Sequence, residues 1–345
     1  MKKHFFITFF MLCSLLLVTS VFAGGQSEAE GDGTSAEDTP KKVIRLAHTH
    51  QADAEASEIH FAATVFKKYI GENSDTLEVK IFAANALGEE REVYEGIQLG
   101  SGATAVISGT AILNNFNEKI GVLDLPFIWK GYDHVHAVLD GEVGNILGNE
   151  LQKEGFKVLA WMDSWGYRNV YTAKKEATSP EDLSGLKIRT IPTPIYVAAV
   201  NAMGANATPM AFGEVYTAMQ TGVLDGFEHS ASVVKAEKFY EVAQYGALTQ
   251  HLFGPLAFVY SDAEWSKLDS AEKKVVEKAA AYARDEQRRL APIREKEALD
   301  FLREQGMVFH EIDTNQFEKN AMSVQNEIAT ERGAMELLEK IRAAE

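Results

Sequence analysis

Residues 185–204, GLKIRTIPTPIYVAAVNAMG, set the problem of this chain. Leu186, Ile188 and Ile191 read as a short buried strand, and Arg189 sits inside it. A buried arginine costs several kcal/mol unless something pairs with it. The acids closest before it in sequence are Glu181 and Asp182. Two readings stand at this point. Arg189 pairs with a distant acid such as Asp225, or its counter-ion does not belong to the chain.

Outward from this segment, strand and helix patterns alternate. KKVIRLAH reads as a strand ending near His48. SEIHFAATVFKKYIGENS places Ile59, Ala62, Ala63, Phe66 and Ile70 on one helical face. TLEVKIFA alternates as a strand, GEEREVYEGIQLG is a helix stopped by Gly100, and ATAVISGTA and FKVLAWMDS are further strands. Such alternation predicts α/β layers with parallel strands. After Arg189, a short helix is expected from Phe212 to Gln220 with Gly222 as its C′ residue. VLDGF then forms a strand and turn, followed by Glu228 and His229. A helix over Ala271–Gln305, capped by Ser270 and stopped by Gly306, would extend on the order of 50 Å. Pro292 should kink it.

Lys2 and Lys3 precede the apolar run Phe5–Val18, and Val21-Phe22-Ala23 is a small-x-small site. This predicts a secretory signal peptide over residues 1–23, cut after Ala23, and a periplasmic protein. An uncut anchor helix is the alternative. Cys13 is the chain's one cysteine and would leave with the signal, so neither a disulfide nor a thiolate metal site is expected. Residues 24–40 are Gly, Ser and acid without hydrophobic periodicity, a disordered acidic leader. The net charge of −16 and the absence of a basic stripe argue against nucleic acid as a partner. They do not exclude a small anion, which a few local arginines can hold. Arg168, in SWGYRNV, is a second arginine on a short apolar segment. Together Arg189 and Arg168 suggest a carboxylate site, because a guanidinium offers two parallel donors and stays charged.

The segment EDLSGLKIRTIPTPIYVAAVNAMGANATPMAFGEVYTAMQTGVLDGFEHS, residues 181–230, closely resembles the substrate-binding proteins of TRAP transporters, the tripartite ATP-independent periplasmic carriers. NALGEEREVYEGIQLG and SWGYRNV fit the same pattern, RLAHTHQADAEASEIHFAATVF does so more loosely, and the likeness runs from about Val43 to the end. It implies an α/β, two-lobed periplasmic-binding-protein fold, with β-strand hinges and one long helix spanning both lobes. Lobe I would comprise 41–165 plus 255–294, and lobe II 166–254 plus 295–345. The resemblance implies that Arg189 forms the main salt bridge to a substrate carboxylate and that Arg168 adds a second contact. It places Phe212 against the ligand body, with Glu90, Ser108 and the His48–His50 loop facing the cleft from the other lobe. Where the family usually has asparagine after DGxE, this chain has His229, which can still donate a hydrogen bond. Trp165 belongs either to the core or to the cleft.

The resemblance implies a receptor and no enzyme, with a small organic acid as ligand, a TRAP membrane permease as partner and a monomeric state. No cofactor or metal is expected: the His48-x-His50 and Glu228-His229 pairs lack zinc spacing, and no nucleotide fingerprint occurs. A hydroxyl-rich ligand such as a uronate or aldonate suits His48, His50 and His229. A C4-dicarboxylate or keto acid, a signalling role, or an enzyme using Glu228 and His229 as acid and base are the alternatives. His134 and His136 read as a solvated helix start.

Overall fold

The computed structural model describes residues 40–344. The expected signal peptide and nearly all of the acidic leader lie outside the described residues. Eleven strands follow in chain order: β1 Lys42–Ala47, β2 Leu77–Phe82, β3 Ala105–Gly109, β4 Phe156–Met162, β5 Arg168–Thr172, β6 Lys187–Thr190, β7 Asn206–Pro209, β8 Gly226–Ser230, β9 Tyr245–Leu252, β10 Leu256–Ser261 and β11 Val308–His310. They form two sheets. One has the order β2-β1-β3-β10-β4, the other β11-β9-β5-β8-β6-β7. Each sheet is the spine of one lobe.

The sheets are mixed, not parallel throughout. β1 runs parallel to β2 and β3, but β10 is antiparallel to both β3 and β4. In the second sheet β5 is antiparallel to β8 and β9, while β6 runs parallel to β7 and β8. The reason is connectivity. β5 and β10 each enter their sheet directly from the other lobe, through the crossovers Asp163–Tyr167 and Phe253–Pro255, and not through a helical return.

The third connection is the helix Ser270–Glu304, which leaves the β10 side and delivers the chain to β11. At 1.5 Å per residue it is about 50 Å long. Its cap is Asp269, one residue before the expected Ser270. The Asp269 carboxylate accepts the N–H groups of Ala271 and Glu272, and Glu272 returns the bond in a capping box. The helix also grips the first crossover on both sides of Pro292. Gln287 accepts the Asp163 N–H and donates to its carbonyl, each at 3.1 Å. Glu295 accepts the Tyr167 N–H at 2.7 Å and the Tyr132 hydroxyl at 2.7 Å.

In the five-stranded lobe, the helix Glu58–Asn73 covers the sheet with Ile59, Ala62, Ala63, Phe66 and Ile70, as the periodicity predicts. Ser57 caps it, and Glu58 at its first position is buried. The C-terminal helix Met335–Ala343 departs from the expected lobe assignment. Its Leu337, Leu338 and Ile341 pack with Leu139, Val143 and Leu147 of the five-stranded lobe, although residues 295–345 were expected on the other. The same contact buries His134, whose Nε2 meets the Ile341 carbonyl at 2.8 Å. His136 bonds Asp163 at 2.7 Å, so neither histidine is a simply solvated helix start. Among the described residues no helix is long and apolar enough to cross a membrane.

Candidate functional site between the lobes

Alternation along β6 sends Ile188 into the apolar cluster with Val170, Val200 and Met203, and Arg189 to the opposite face. Arg189 is only 2% exposed. Its Nε and Nη2 both donate to the carbonyl of Met210, at 2.9 and 2.7 Å. Among the described residues no carboxylate forms a salt bridge with it, and Asp225 is committed elsewhere, accepting the Lys187 N–H at 2.9 Å. Burial pulls the guanidinium down to about 10, with Glu228 opposing and Arg168 adding to the fall. The face of Phe212 lies 5.9 Å from the guanidinium carbon. Phe212 begins the 3-10 turn Phe212–Glu214 ahead of the helix Val215–Gln220, and Gly222 closes that helix at φ 73°, as the sequence predicts.

Arg168 takes a different place from the one expected. It is buried at the start of β5, and its counter-ion is Glu228 of the neighbouring β8. Nη2 reaches Glu228 Oε1 at 2.9 Å and the Glu228 carbonyl at 2.9 Å, while Nε bonds Oε2. Thr190 adds a hydroxyl at 3.2 Å, and the ring of Tyr196 stacks 5.3 Å beneath the guanidinium. Burial alone would raise the Glu228 carboxyl, but Arg168, helped by His251, outweighs it and holds the pKa at about 2. Arg168 therefore stands behind the cavity wall, already neutralised, and not among the lining residues.

His229 lies within β8, not after it, because the strand runs to Ser230. Its Nδ1 accepts the Ser230 N–H at 2.9 Å, so in the neutral ring the proton is on Nε2. Burial, with Arg168, holds the imidazole well below its usual range and keeps it neutral.

The other lobe supplies the facing wall. Glu90 opens the helix Glu90–Gln98, and Ser108 near the end of β3 donates its hydroxyl to Glu90 Oε1. Burial pushes the Glu90 carboxyl up to about 7, with Ser108 and Arg189 opposing. His50, on the turn after β1, is stacked between Trp165 at 5.2 Å and Phe212 at 5.6 Å, with interplanar angles of 19° and 18°. Burial lowers its pKa to about 3. Trp165 Nε1 is a buried donor without a partner among the described residues. His48 is the second departure. Its ring turns to the helix Glu58–Asn73 and meets His60 at 3.0 Å, and Thr49 lines the cavity in its stead.

These residues enclose a cavity of about 90 Å³, room for several waters or a compact organic ligand. Arg189, His229, Phe212, Trp165, His50, Glu90 and Ser108 all line it, as does Tyr196. Sequence reasoning passed over Tyr196, whose hydroxyl meets Asp124 at 3.2 Å and whose ring supports Arg168. Among the described residues no group of three or more metal-ligating side chains occurs. The site is thus a recessed, aromatic-walled pocket with one buried cation lacking an acid partner among the described residues.

Residues 48–332 match the bacterial extracellular solute-binding proteins, family 7. The chain belongs to this family. The family 7 chain is 33% identical over 271 residues to the 2,3-diketo-L-gulonate-binding periplasmic protein YiaO of Escherichia coli K12, spanning 78% of this chain and 81% of that one. It is 31% identical over 276 residues to the C4-dicarboxylate-binding periplasmic protein DctP of Rhodobacter capsulatus, spanning 78% and 81%. A crystal structure of a TRAP periplasmic solute-binding protein from Polaromonas sp. JS666, bound to D-erythronate, superposes with a TM-score of 0.84 at 31% identity, over 88% of this chain and 99% of that one. The chain is therefore a two-lobed solute-binding protein of the TRAP type.

Proposed function

We propose that this protein is the extracytoplasmic receptor for a sugar acid, an aldonate, keto-aldonate or uronate, which it captures by lobe closure and delivers to a TRAP membrane permease. The observation that carries the reading is Arg189, a buried guanidinium that touches a backbone carbonyl but no carboxylate. A cation kept in that state is suited to an anion arriving from outside. The ligand's hydroxyls would meet His229, Glu90 and the unpartnered Trp165 N–H, and its carbon chain the faces of Phe212 and His50. Because the wall is divided between lobes, binding would favour the closed arrangement through contacts that only closure completes. The diketogulonate and erythronate ligands of the relatives support the sugar-acid class. Delivery as a monomer, after cleavage behind Ala23, completes the reading.

Catalysis by Glu228 and His229 is disfavoured. Glu228 has both oxygens engaged by Arg168, Thr190 or both, and its depressed pKa makes it a poor general acid. The test is calorimetry of the mature protein against aldonates, uronates, keto acids and C4-dicarboxylates, with the ligand recovered afterwards. Binding of an unaltered sugar acid supports the receptor reading. Conversion of the ligand, or no binding across the panel, removes it.

A further inference from the structure

The charges around the cavity limit how many carboxylates it can hold. Two cations line it, Arg189 and Arg91. Arg91 is largely in solvent, 63% exposed, and paired with Glu95 at 2.9 Å. Arg168, the other buried arginine nearby, has its charge cancelled by Glu228. One buried cation is left over. The facing wall carries two acids, Glu89 and Glu90. Glu89 is tied to Asn85 at 3.0 Å, whereas Glu90 has only the Ser108 hydroxyl on Oε1, and its Oε2 takes no hydrogen bond from any described residue.

We propose that the site admits a single carboxylate and that Glu90 enforces this, selecting sugar monoacids over diacids of the same carbon chain. This rests on the receptor reading above. A hydroxyl at the far end of the ligand donates to Glu90 Oε2. A carboxylate in the same place has no proton to donate and meets a like charge with no cation free to neutralise it, which is the repulsive half of a specificity device.

The probes are matched pairs differing in one terminal oxidation: D-erythronate with meso-tartrate, and D-gluconate with D-glucarate. They are titrated at pH 8, where Glu90 is largely ionised, into wild type, Glu90→Gln and Ser108→Ala, with melting temperatures recorded for each. Wild type is expected to prefer the monoacid by on the order of 100-fold. Glu90→Gln should shrink that gap to about 10-fold or less, mainly by admitting the diacid. Ser108→Ala removes the hydroxyl that helps keep the Glu90 carboxyl ionised, so it should narrow the gap at pH 8 by less than Glu90→Gln does and recover it as pH rises. The inference is overturned if wild type binds diacid and monoacid equally, if folded Glu90→Gln retains the full gap, or if Ser108→Ala fails to recover the gap as pH rises. If no sugar acid of any kind binds wild type, the receptor reading fails first and takes this inference with it.

Discussion

Arg168 and Glu228 lie diagonally across adjacent strands as a fully buried, two-point ion pair, with Tyr196 stacked under the guanidinium. Removing one partner strands the other charge in the interior. Glu228→Gln should therefore cost about 3–5 kcal/mol in urea unfolding at pH 7. The pH dependence follows from the depressed carboxyl. The Glu228 contribution is complete above the ordinary value of 4.5 and is lost as pH falls toward about 2. The variant's acid limb should be flatter over that window. Equal acid limbs would show that the pair is not formed as described.

Arg189→Ala should behave in the opposite way in the empty protein. It removes a buried charge with no acid partner, so unliganded stability should stay within about 1 kcal/mol of wild type. The rise in melting temperature produced by a sugar acid should vanish. Arg189→Lys, which loses the planar two-donor fork, should retain a weakened response. A large drop in unliganded stability with binding intact would make Arg189 a structural residue.

His229 should contribute a hydrogen bond and no charge. Nitrogen-detected NMR of the imidazole is expected to report the Nε2–H tautomer, with no titration between pH 5.5 and 8, because burial holds the ring neutral. Any change of affinity over that range should come from the Glu90 carboxyl, raised by burial to about 7, and should persist in His229→Phe. His229→Asn keeps a donor and should bind, whereas His229→Phe should weaken binding by roughly 10-fold. Tighter binding at pH 5.5 that disappears in His229→Phe would contradict this.

Glu58 offers a stability test away from the cavity. Burial raises its carboxyl from 4.5 to about 7, partly offset by Arg294. In the folded state the group holds a proton that the unfolded chain releases. Wild type should therefore lose stability relative to Glu58→Gln as pH rises from about 4.5 to 7, and the difference should level off above that. Parallel stability curves for the two proteins would show that the carboxyl is not desolvated.

How much of this was legible beforehand depends on range. Periodicity located the helix Glu58–Asn73, and the glycine at 222 marked the end of Val215–Gln220, because both are local signals. Arg189 announced itself as a charge in an apolar strand. Arg168 looked equivalent, yet β5–β8 pairing places Glu228 beside it, a relation 60 residues apart in sequence. Strand direction was misread for the same reason: β5 and β10 enter their sheets from the other lobe, and alternation of elements carries no trace of that. His48 and His50 share a short turn, but one is claimed by His60 and the other by Trp165 and Phe212. Tyr196 was silent, since a tyrosine early in a helix reads as ordinary packing.

The grip of Gln287 and Glu295 on the first crossover has a mechanical meaning. Rope and strut are lashed together at two points, and Pro292 lies between the lashings without an N–H to complete the helical ladder. A rigid rod fastened in this way could transmit rotation but would resist any change in the angle between its ends. The missing rung at residue 292 is where the ladder is weakest, and Glu295 beyond it ties Tyr132 as well as Tyr167, so rod and crossover stay fastened on both sides of that weak point.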